Sequence, residues 1–477
     1  MTDLALLGLV MLIVMIGAIF IGFPISFTLL FLALAFGYIG LGDVVFSLAY
    51  FQTIGMMKEE LLAAVPLFIL MGYVTEQAGL MERLFTAFRL MLAPIRGALF
   101  AVVILTATIF AMATGIVGAA VTVLGIMASP IMIKAGYDAR LAAGCITAGG
   151  TLGILIPPSV MLIVMGPVLG VSVADLYAAA VGPGFVLAGI YLVYLLGRAY
   201  LNPRLGPPVP REERIHSSGA IAREVLIGVV PLIGLIAAAL GSILAGLATP
   251  TEASGVGALG AILLALAYRR LTYENFRRAL RATTATSSMV LLLAVTSNIF
   301  GAVFARLGTA SWITESMLAL PLAPVAMLLV VLALIFLLGW PFEWPAIVLV
   351  FLPIFYPVID ALKPELATTL DVSSDFVMVW FGALVAVTLQ TAFLSPPVAM
   401  SAYYLRQVVR EWPLATIYKG MFEFMILQCV AIVLLIVFPA IATSFPEKLR
   451  KESAGAAVEQ IDDSANRLEE DPLKGLR

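Results

Sequence analysis

Two segments combine paired prolines with hydroxyl side chains inside long uncharged stretches, and the first of them also contains adjacent glycines. The first contains Gly149, Gly150, Thr151, Pro157, Pro158 and Ser159, and the second contains Thr391, Ser395, Pro396 and Pro397. Two adjacent prolines remove two helix hydrogen bonds, and the residue before each proline is pushed out of the helical region. The sequence therefore predicts a broken helix at each segment.

Broken helices expose backbone groups that bind ions and charged solutes. Unwound carbonyls suit a hard cation such as Na⁺, and the half-helix that follows begins with free N–H groups suited to a carboxylate. Thr151, Ser159, Thr391 and Ser395 add hydroxyls at the same places. A proline kink that serves packing alone is the alternative. We favour a binding site because the sequence has two such breaks.

Two carboxylates lie within otherwise apolar stretches. A buried charge of this kind is costly unless it is paired or hydrated, so we expect Glu343 to lie at or near the site. Glu252 follows Thr249-Pro250-Thr251. For Glu252, an N-terminal helix position behind a Thr249 cap is an equally good interpretation.

The composition indicates an integral membrane protein. Of the 477 residues, 62% are hydrophobic and only 12% are charged, which leaves too little polar surface for a soluble globule. No charged residue stands between Asp3 and Asp43 or between Arg96 and Lys134. Such stretches exceed the roughly 20 residues that span a bilayer core. The net charge of −2 argues against binding to nucleic acid.

Signatures of enzymes and primary pumps are missing from the sequence. The single histidine, His216, stands in a polar segment, and we expect Cys145 and Cys429 to be small buried hydrophobes. Neither a His-Glu-x-x-His motif, a Gly-x-Ser-x-Gly motif nor a phosphate-binding loop occurs. We therefore expect neither an enzyme nor a covalent cofactor.

Uncharged windows predict ten membrane spans. They lie at 4–21, 24–41, 62–80, 141–170, 176–197, 225–248, 252–268, 283–305, 376–405 and 421–443. The Arg-rich segments 198–223 and 269–281 are predicted to be cytoplasmic by the positive-inside rule. Counting spans from them places the acidic segment 360–375 and both termini outside. Segments 81–93 and 272–283 predict interfacial amphipathic helices, with a solvated linker helix as the alternative.

Two further apolar stretches, 97–133 and 316–359, predict re-entrant hairpins. Each has a Gly-rich or Pro-rich middle, at Thr114-Gly115 in the first and at Gly339 in the second. The arms beside these middles are short for a full crossing, and irregular backbone at membrane depth is tolerated only inside the protein. An ordinary pair of helices with a loop is the alternative.

Residues 1–200 and 223–443 carry matching features in the same order. The matched pairs are Pro24 and Pro250, Pro94 and Pro324, Gly115 and Gly339, Pro130 and Pro353, and Pro157 and Pro396. A linker at 201–222 separates the halves, and the polar tail 444–477 is predicted to be disordered. The span count makes the halves inverted. We therefore predict an all-α polytopic membrane protein of two inverted repeats with re-entrant hairpins and discontinuous helices, which is typical of secondary transporters.

Five stretches resemble the large membrane subunit, the DctM-like permease, of tripartite ATP-independent periplasmic (TRAP) transporters. They are 65–72, 134–138, 155–159, 249–253 and 395–398, and they follow the family order over about residues 10 to 440. The resemblance implies an elevator-type importer of organic acids in the bacterial inner membrane, driven by Na⁺. It also implies two partners, a small four-helix membrane subunit and a soluble periplasmic substrate-binding protein.

The resemblance further implies that Na⁺, as the coupling ion, binds near Thr114, Thr151, Thr391 and Ser395. The first apolar run begins at Leu4, so we expect the small subunit to be a separate chain. Many family members have Ser-Gly-Ser at the first hairpin tip, where this chain has Thr114-Gly115-Ile116, and backbone groups would then supply most cation ligands. A stand-alone ion-coupled carboxylate transporter, or a channel without a binding protein, is the alternative function.

Overall fold

The protein is built from helices joined by short turns. The computed structural model describes residues 3–208, 218–396 and 399–452, and no strand occurs in these ranges. Ten helices in the described ranges are long and apolar enough to cross a membrane. His216, Pro397 and the predicted disordered tail beyond residue 452 lie outside the described residues. The described chain is therefore an all-α polytopic membrane protein.

The first half contains ten helices. They are α1 (Asp3–Ile21), α2 (Ile25–Leu41), α3 (Val44–Met57), α4 (Ala64–Gln77), α5 (Leu80–Leu92), α6 (Ala98–Thr114), α7 (Val117–Lys134), α8 (Ala139–Thr151), α9 (Val160–Leu169) and α10 (Val173–Leu201). The pair α6 and α7 is the first predicted hairpin, and α8 and α9 are the two pieces of the first broken helix.

The second half contains twelve described helices, two of them single turns. They are α11 (Ser218–Gly228), α12 (Val230–Ile236), α13 (Ser242–Leu244), α14 (Pro250–Ala267), α15 (Tyr273–Arg306), α16 (Thr309–Leu318), α17 (Pro324–Leu338), α18 (Trp344–Ala346), α19 (Leu352–Leu370), α20 (Val377–Leu394), α21 (Met400–Val408) and α22 (Leu414–Val437). A π-helical turn joins α18 to α19. The second hairpin is α17 with α18–α19, and α20 and α21 are the second broken helix. A further helical segment runs over 440–452, so the start of the tail predicted to be disordered, residues 444–452, is helical instead.

The two halves pack against each other reciprocally. Helix α4 packs on α14, and their counterparts in the repeat, α15 and α2, also pack on each other. In the same way, α5 packs on α11, and their counterparts in the repeat, α16 and α1, pack on each other. Reciprocal contacts are what a two-fold relation between halves produces, because exchanging the halves must leave the contact pattern unchanged. The packing agrees with the repeat that the sequence predicts.

The structure corrects two predicted boundaries among the helices that belong neither to the hairpins nor to the broken helices. The segment 44–57, which was not predicted to be helical, forms α3. The predicted amphipathic helix 272–283 and the predicted span 283–305 are one continuous 34-residue helix, α15. No proline or glycine interrupts the chain between Thr272 and Gly301, so the Arg-rich beginning of the helix continues without a break into its apolar part.

Two further corrections concern the second hairpin and the acidic segment. The hairpin begins at Pro324, because Leu320, Pro321 and Leu322 separate it from the independent helix α16. The acidic segment 360–375 belongs to none of the predicted spans or hairpins, but α19 continues to Leu370 and Asp371 then takes a left-handed conformation. Pro357 and Pro364 lie within this helix without ending it.

Charged groups from distant segments collect in two places. One polar pocket is lined by Arg83, Glu224 and Arg270, which brings α5 together with α11 and the Arg-rich segment 269–281. Another is lined by Asp175, Asp360, Asp375 and Arg450, and Arg450 Nη1 lies 3.4 Å from Asp375 Oδ2. The basic start of the tail therefore shares a surface with the acidic segment, as expected if both lie on the same side.

We expect a membrane-impermeant maleimide added to intact cells to label a cysteine at Thr369 and to spare one at Ser217. Thr369 is exposed near the end of α19, whereas Ser217 belongs to the predicted cytoplasmic linker and lies outside the described residues. The background carries Ser at positions 145 and 429, and permeabilised cells should label both sites. Labelling at position 217 in intact cells would overturn the predicted sidedness.

Candidate functional site

The first broken helix unwinds where the paired prolines predict it. Helix α8 ends at Thr151, one tight 3₁₀ turn covers Leu152–Ile154, and α9 begins only at Val160. The hydroxyl of Tyr177 donates a hydrogen bond to the Ser159 carbonyl at 3.3 Å. The whole break, including Pro157 and Pro158, is buried, so its irregular backbone is enclosed by protein.

The second broken helix has the same plan. Helix α20 ends at Leu394, Ser395 is extended, and α21 begins at Met400. Pro396 is exposed, and Pro397 lies outside the described residues. The discontinuous helices predicted from the two Pro-Pro segments are thus confirmed at both positions.

The predicted hydroxyl ligands share one kind of hydrogen-bond acceptor. Each of the five hydroxyls has a backbone carbonyl, three to five residues before it, as an acceptor within hydrogen-bond distance, and the single Thr151 hydrogen can go either to that carbonyl or to Gln390 Oε1. The carbonyl acceptors are Phe110 for Thr114, Ala148 for Thr151, Ile154 for Ser159, Thr388 for Thr391 and Thr391 for Ser395. Because the hydrogen is occupied in this way, the oxygen lone pairs are the groups left to face a cation.

A direct hydrogen bond connects the two broken helices. The Thr151 hydroxyl lies 3.0 Å from Gln390 Oε1, which brings the end of α8 against the end of α20. Gln390 is fully buried, as are Tyr191 and Gln428 nearby in the core. Gln390 was not predicted as a site residue, although it immediately precedes the predicted ligand Thr391.

The glycines predicted at the site have separate structural roles. Gly115 ends α6 with φ of 61°, a left-handed conformation that glycine adopts without strain. Gly339 has an ordinary φ, but a Cβ there would come within 2.9 Å of Ala392 on α20. Gly149 and Gly150 let α8 lie against Ala107 of α6 and Val121 of α7. These glycines therefore bring the hairpins onto the broken helices.

The hairpins and the broken helices are called the core here, and the helices α2, α4, α14 and α15 are called the frame. A cavity of about 490 Å³ lies where the hairpin tips and the broken helices meet the frame helices α4 and α15. The two tips contribute residues 115–119 and 343–345. Residues next to both helix breaks also line it: Ile154 and Val160 at the first, Phe393 and Met400 at the second. Frame and core touch directly beside it, because a Cβ at Gly72 of α4 would lie 2.7 Å from the Thr114 carbonyl oxygen.

Of the predicted site residues that the structure describes, two line this cavity. They are Gly115 and Glu343, and the Glu343 side chain is exposed. Most of the other described members of the set are buried behind the cavity: Thr114, Gly149, Gly150, Thr151, Pro157, Pro158, Ser159, Gly339, Thr391 and Ser395. Pro396 is exposed. Their assignment as ion-binding residues stays a prediction.

Several polar residues that line the cavity were not predicted. They are Tyr73, Glu76, Thr286, Tyr404 and Gln407. Tyr73 and Thr286 join α4 to α15 through a hydrogen bond of 3.0 Å between their hydroxyls. Glu76 could have been predicted as a site residue from the sequence, because it is an ionisable residue inside the predicted span 62–80.

Glu252 belongs to a helix cap and not to the cavity. Its backbone N–H donates to the Thr249 hydroxyl at 3.2 Å, and its carboxylate accepts from the Thr249 N–H at 2.8 Å. This reciprocal arrangement is a capping box, which satisfies free donors at the start of α14. The capping interpretation is therefore the correct one of the two.

Two hairpins and two discontinuous helices around one central cavity define the class of transport permeases. The model of the DctM component of the tripartite ATP-independent periplasmic transporters matches residues 10–441, so the chain belongs to this family. The family resemblance noted in the sequence is thereby confirmed. Its relatives are named as transporter permeases, which points to a transporter and not to an enzyme.

Three relatives have different named solutes. The sialic acid TRAP transporter large permease protein SiaM of Vibrio cholerae is 28% identical over 91% of this chain and 96% of its own length. The C4-dicarboxylate permease DctM of Pseudomonas aeruginosa is 29% identical over 81% of this chain and 86% of its own. The ectoine permease TeaC of Halomonas elongata is 26% identical over 91% and 97%.

A solved structure shares the fold. It is that of the YdaH transporter of Alcanivorax borkumensis, described as having an unusual topology, with a TM-score of 0.59 and 17% identity. The match covers 85% of this chain and 90% of that chain. At this identity the likeness concerns the fold alone.

Proposed function

We propose that the chain is the large permease subunit of a Na⁺-coupled secondary transporter in the bacterial inner membrane. It imports an organic acid that a periplasmic binding protein delivers, and it works beside a small four-helix membrane subunit. One observation carries the proposal: both hairpin tips and residues beside both broken helices converge on a single cavity. A cavity shared by two repeats can open to alternate sides when one group of elements moves against the other.

The packing around the cavity supports a division into frame and core. Helices α4 and α15 join each other directly and, with α2 and α14, form one group of contacts. The hairpins and the broken helices form a second group, together with α10 and α22. A solute held between these groups would be carried by the core while the frame stays in place.

The helix breaks support cation coupling. Unwound backbone at 155–159 supplies carbonyl oxygens in an uncharged and enclosed environment, which suits Na⁺. The Thr151 and Ser395 hydroxyls lie at the ends of α8 and α20, each within hydrogen-bond distance of a helix carbonyl. Uptake should therefore rise with Na⁺ and be independent of ATP.

We expect Thr151→Ala or Ser395→Ala to weaken the apparent Na⁺ affinity of uptake roughly ten- to hundredfold, the usual effect of losing one contact to a charged group. The measurement is initial uptake as a function of Na⁺ concentration in proteoliposomes that contain the complete transporter. Thr147→Ala is the matched control, because Thr147 is also buried on α8 and bonded to its own helix. Unaltered Na⁺ dependence in both variants would contradict side-chain coordination at the breaks.

A further inference from the structure

The cavity has an acidic wall and no basic one. Glu76 on the frame and Glu343 at the second hairpin tip both line it, and none of the described lining residues is Lys, Arg or His. The cavity is the site already described, and the inference rests on the function proposed for it. What the charges add is the chemical class of the solute.

Neither carboxylate forms an ion pair with a described side chain. No described Lys, Arg or His nitrogen lies within 4.0 Å of Glu76 or Glu343. Glu76 also borders the polar pocket that holds Arg83 and Arg270, but Glu82 and Glu224 balance these arginines there. The Arg83 guanidinium stacks over the Tyr268 ring at 4.9 Å. The two carboxylates are thus available to a positively charged group of the solute.

Aromatic side chains accompany the two carboxylates. Tyr73, Trp344 and Tyr404 line the same cavity. The face of an aromatic ring attracts ammonium and quaternary ammonium groups, and this attraction grows when water is excluded. Carboxylates with aromatic rings are a usual environment for a cationic nitrogen.

The start of helix α7 suits an anion. Helix α7 starts at Val117 of the first hairpin tip, and its N-cap residue Ile116 makes no side-chain cap. The first N–H groups of a helix have no partner within the helix, and residues 117–119 line the cavity. These donors and the positive end of the helix dipole favour a carboxylate at that position.

We propose that the transported solute is a zwitterion, with a carboxylate at the start of α7 and a cationic nitrogen facing Glu76 and Glu343. A dicarboxylate would place its second negative charge in a cavity with two unpaired carboxylates and no basic side chain. Like charges in such a site repel each other, which makes a dianion the disfavoured solute.

The test compares 4-aminobutanoate with glutarate. Both molecules have a carboxylate followed by the same run of methylene groups, and they differ in ending with an ammonium or with a second carboxylate. Ectoine and glycine betaine extend the panel as bulkier zwitterions. Affinities for the purified chain in Na⁺-containing nanodiscs are obtained from thermal unfolding at increasing solute concentration. We expect at least one zwitterion to bind at least about tenfold more tightly than glutarate, as for a single charged contact.

The double variant Glu76→Gln with Glu343→Gln should lower this preference by roughly tenfold or more. Glu82→Gln is the matched control, because it removes the same charge from the adjoining polar pocket without touching the cavity. Unfolding without solute confirms that each variant is folded. The zwitterion preference should survive in the control.

Three results would overturn the proposal. Glutarate binding as well as every zwitterion would contradict it directly. A double variant that keeps its solute preference but loses its Na⁺ dependence would assign the carboxylates to the coupling ion. Both results leave the proposed transport function intact if Na⁺-driven uptake persists with the partner subunits. Failure of all solutes to bind, with no Na⁺-driven uptake of any, would refute the proposed function as well.

Discussion

Liposomes that contain this chain alone are expected to take up no solute above the leak rate under an inward Na⁺ gradient. Addition of the small membrane subunit and the loaded periplasmic binding protein should restore uptake. The physical reason is the lack of a capture domain. Within residues 3–208, 218–396 and 399–452, the segments between helices are short turns. If the proposed function holds, high-affinity capture from dilute solution takes place on the periplasmic binding protein.

Docking of the binding protein should be weak and sensitive to salt. The surface around Asp175, Asp360 and Asp375 is charged, with Lys363 and Arg450 among the acidic groups. Charge contacts at the rim of an interface are screened beyond about 8 Å at physiological ionic strength. The rate of delivery should therefore fall steeply with added salt, whereas the Na⁺ affinity of the permease should not follow the same course.

Radiolabelled uptake measures the dependence of transport on the partner proteins. The three sets of liposomes contain the chain alone, the chain with the small subunit, and the complete system. Replacing the Na⁺ gradient with K⁺ is the control for coupled uptake. Full-rate uptake by the chain alone would refute the need for partners and would favour a stand-alone carboxylate transporter. The family membership and the two-fold architecture would be unaffected by that result.

Gly420→Leu is expected to prevent correct packing, at a cost of about 3 kcal/mol or more, since it forces a side chain into a filled interface. At this position α22 crosses α8, and a Cβ would collide with the Arg140 carbonyl oxygen. Gly144 on α8 meets the same crossing, where a Cβ would lie 2.8 Å from the Gly420 carbonyl oxygen. Small residues at such crossings let membrane helices approach closely.

An ionic group beside the crossing makes relaxation difficult. One turn after Gly420, Glu423 pairs with Arg140 at 3.0 Å and accepts a hydrogen bond from Tyr194 of α10. A shift of α22 that relieved the collision would also separate these partners. Loss of the interface should therefore spread from α8 to α10.

Thermal unfolding in detergent, with the yield of monodisperse protein, measures the effect of the substitution. Gly189→Leu is the control, because no atom lies within 4 Å of its added Cβ. The control should stay within about 1 kcal/mol of the parent, as surface changes and helix propensity allow. Equal behaviour of the two variants would show that the α8–α22 crossing tolerates a larger separation.

The repeat pattern was predictable because it depends on local features. Paired prolines break a helix wherever they stand, so the ends of α8 and α20 were expected close to Thr151 and Leu394. Helix ends that lack such signals were predicted poorly. Helix α3 and the continuation of α19 to Leu370 follow from packing against other helices, which hydropathy windows do not report.

The candidate site was predicted only in part. Gly115 and Glu343 were expected at the hairpin tips and line the cavity, whereas the predicted hydroxyls are packed behind it. Gln390 was missed because its hydrogen bond to Thr151 joins residues 239 positions apart. A contact of that separation leaves no local signature in one sequence.

The sequence by itself determined the class of protein, the two repeats and the places where helices break, because hydrophobic length and proline chemistry act over a few turns of chain. Only the tertiary structure decided which side chains share the cavity. Glu76 of the frame lines the same cavity as the tip that carries Glu343, because α4 packs on the first hairpin and α15 on the second. The charge of the solute site thus depends on how distant helices pack, and a list of residues does not contain it.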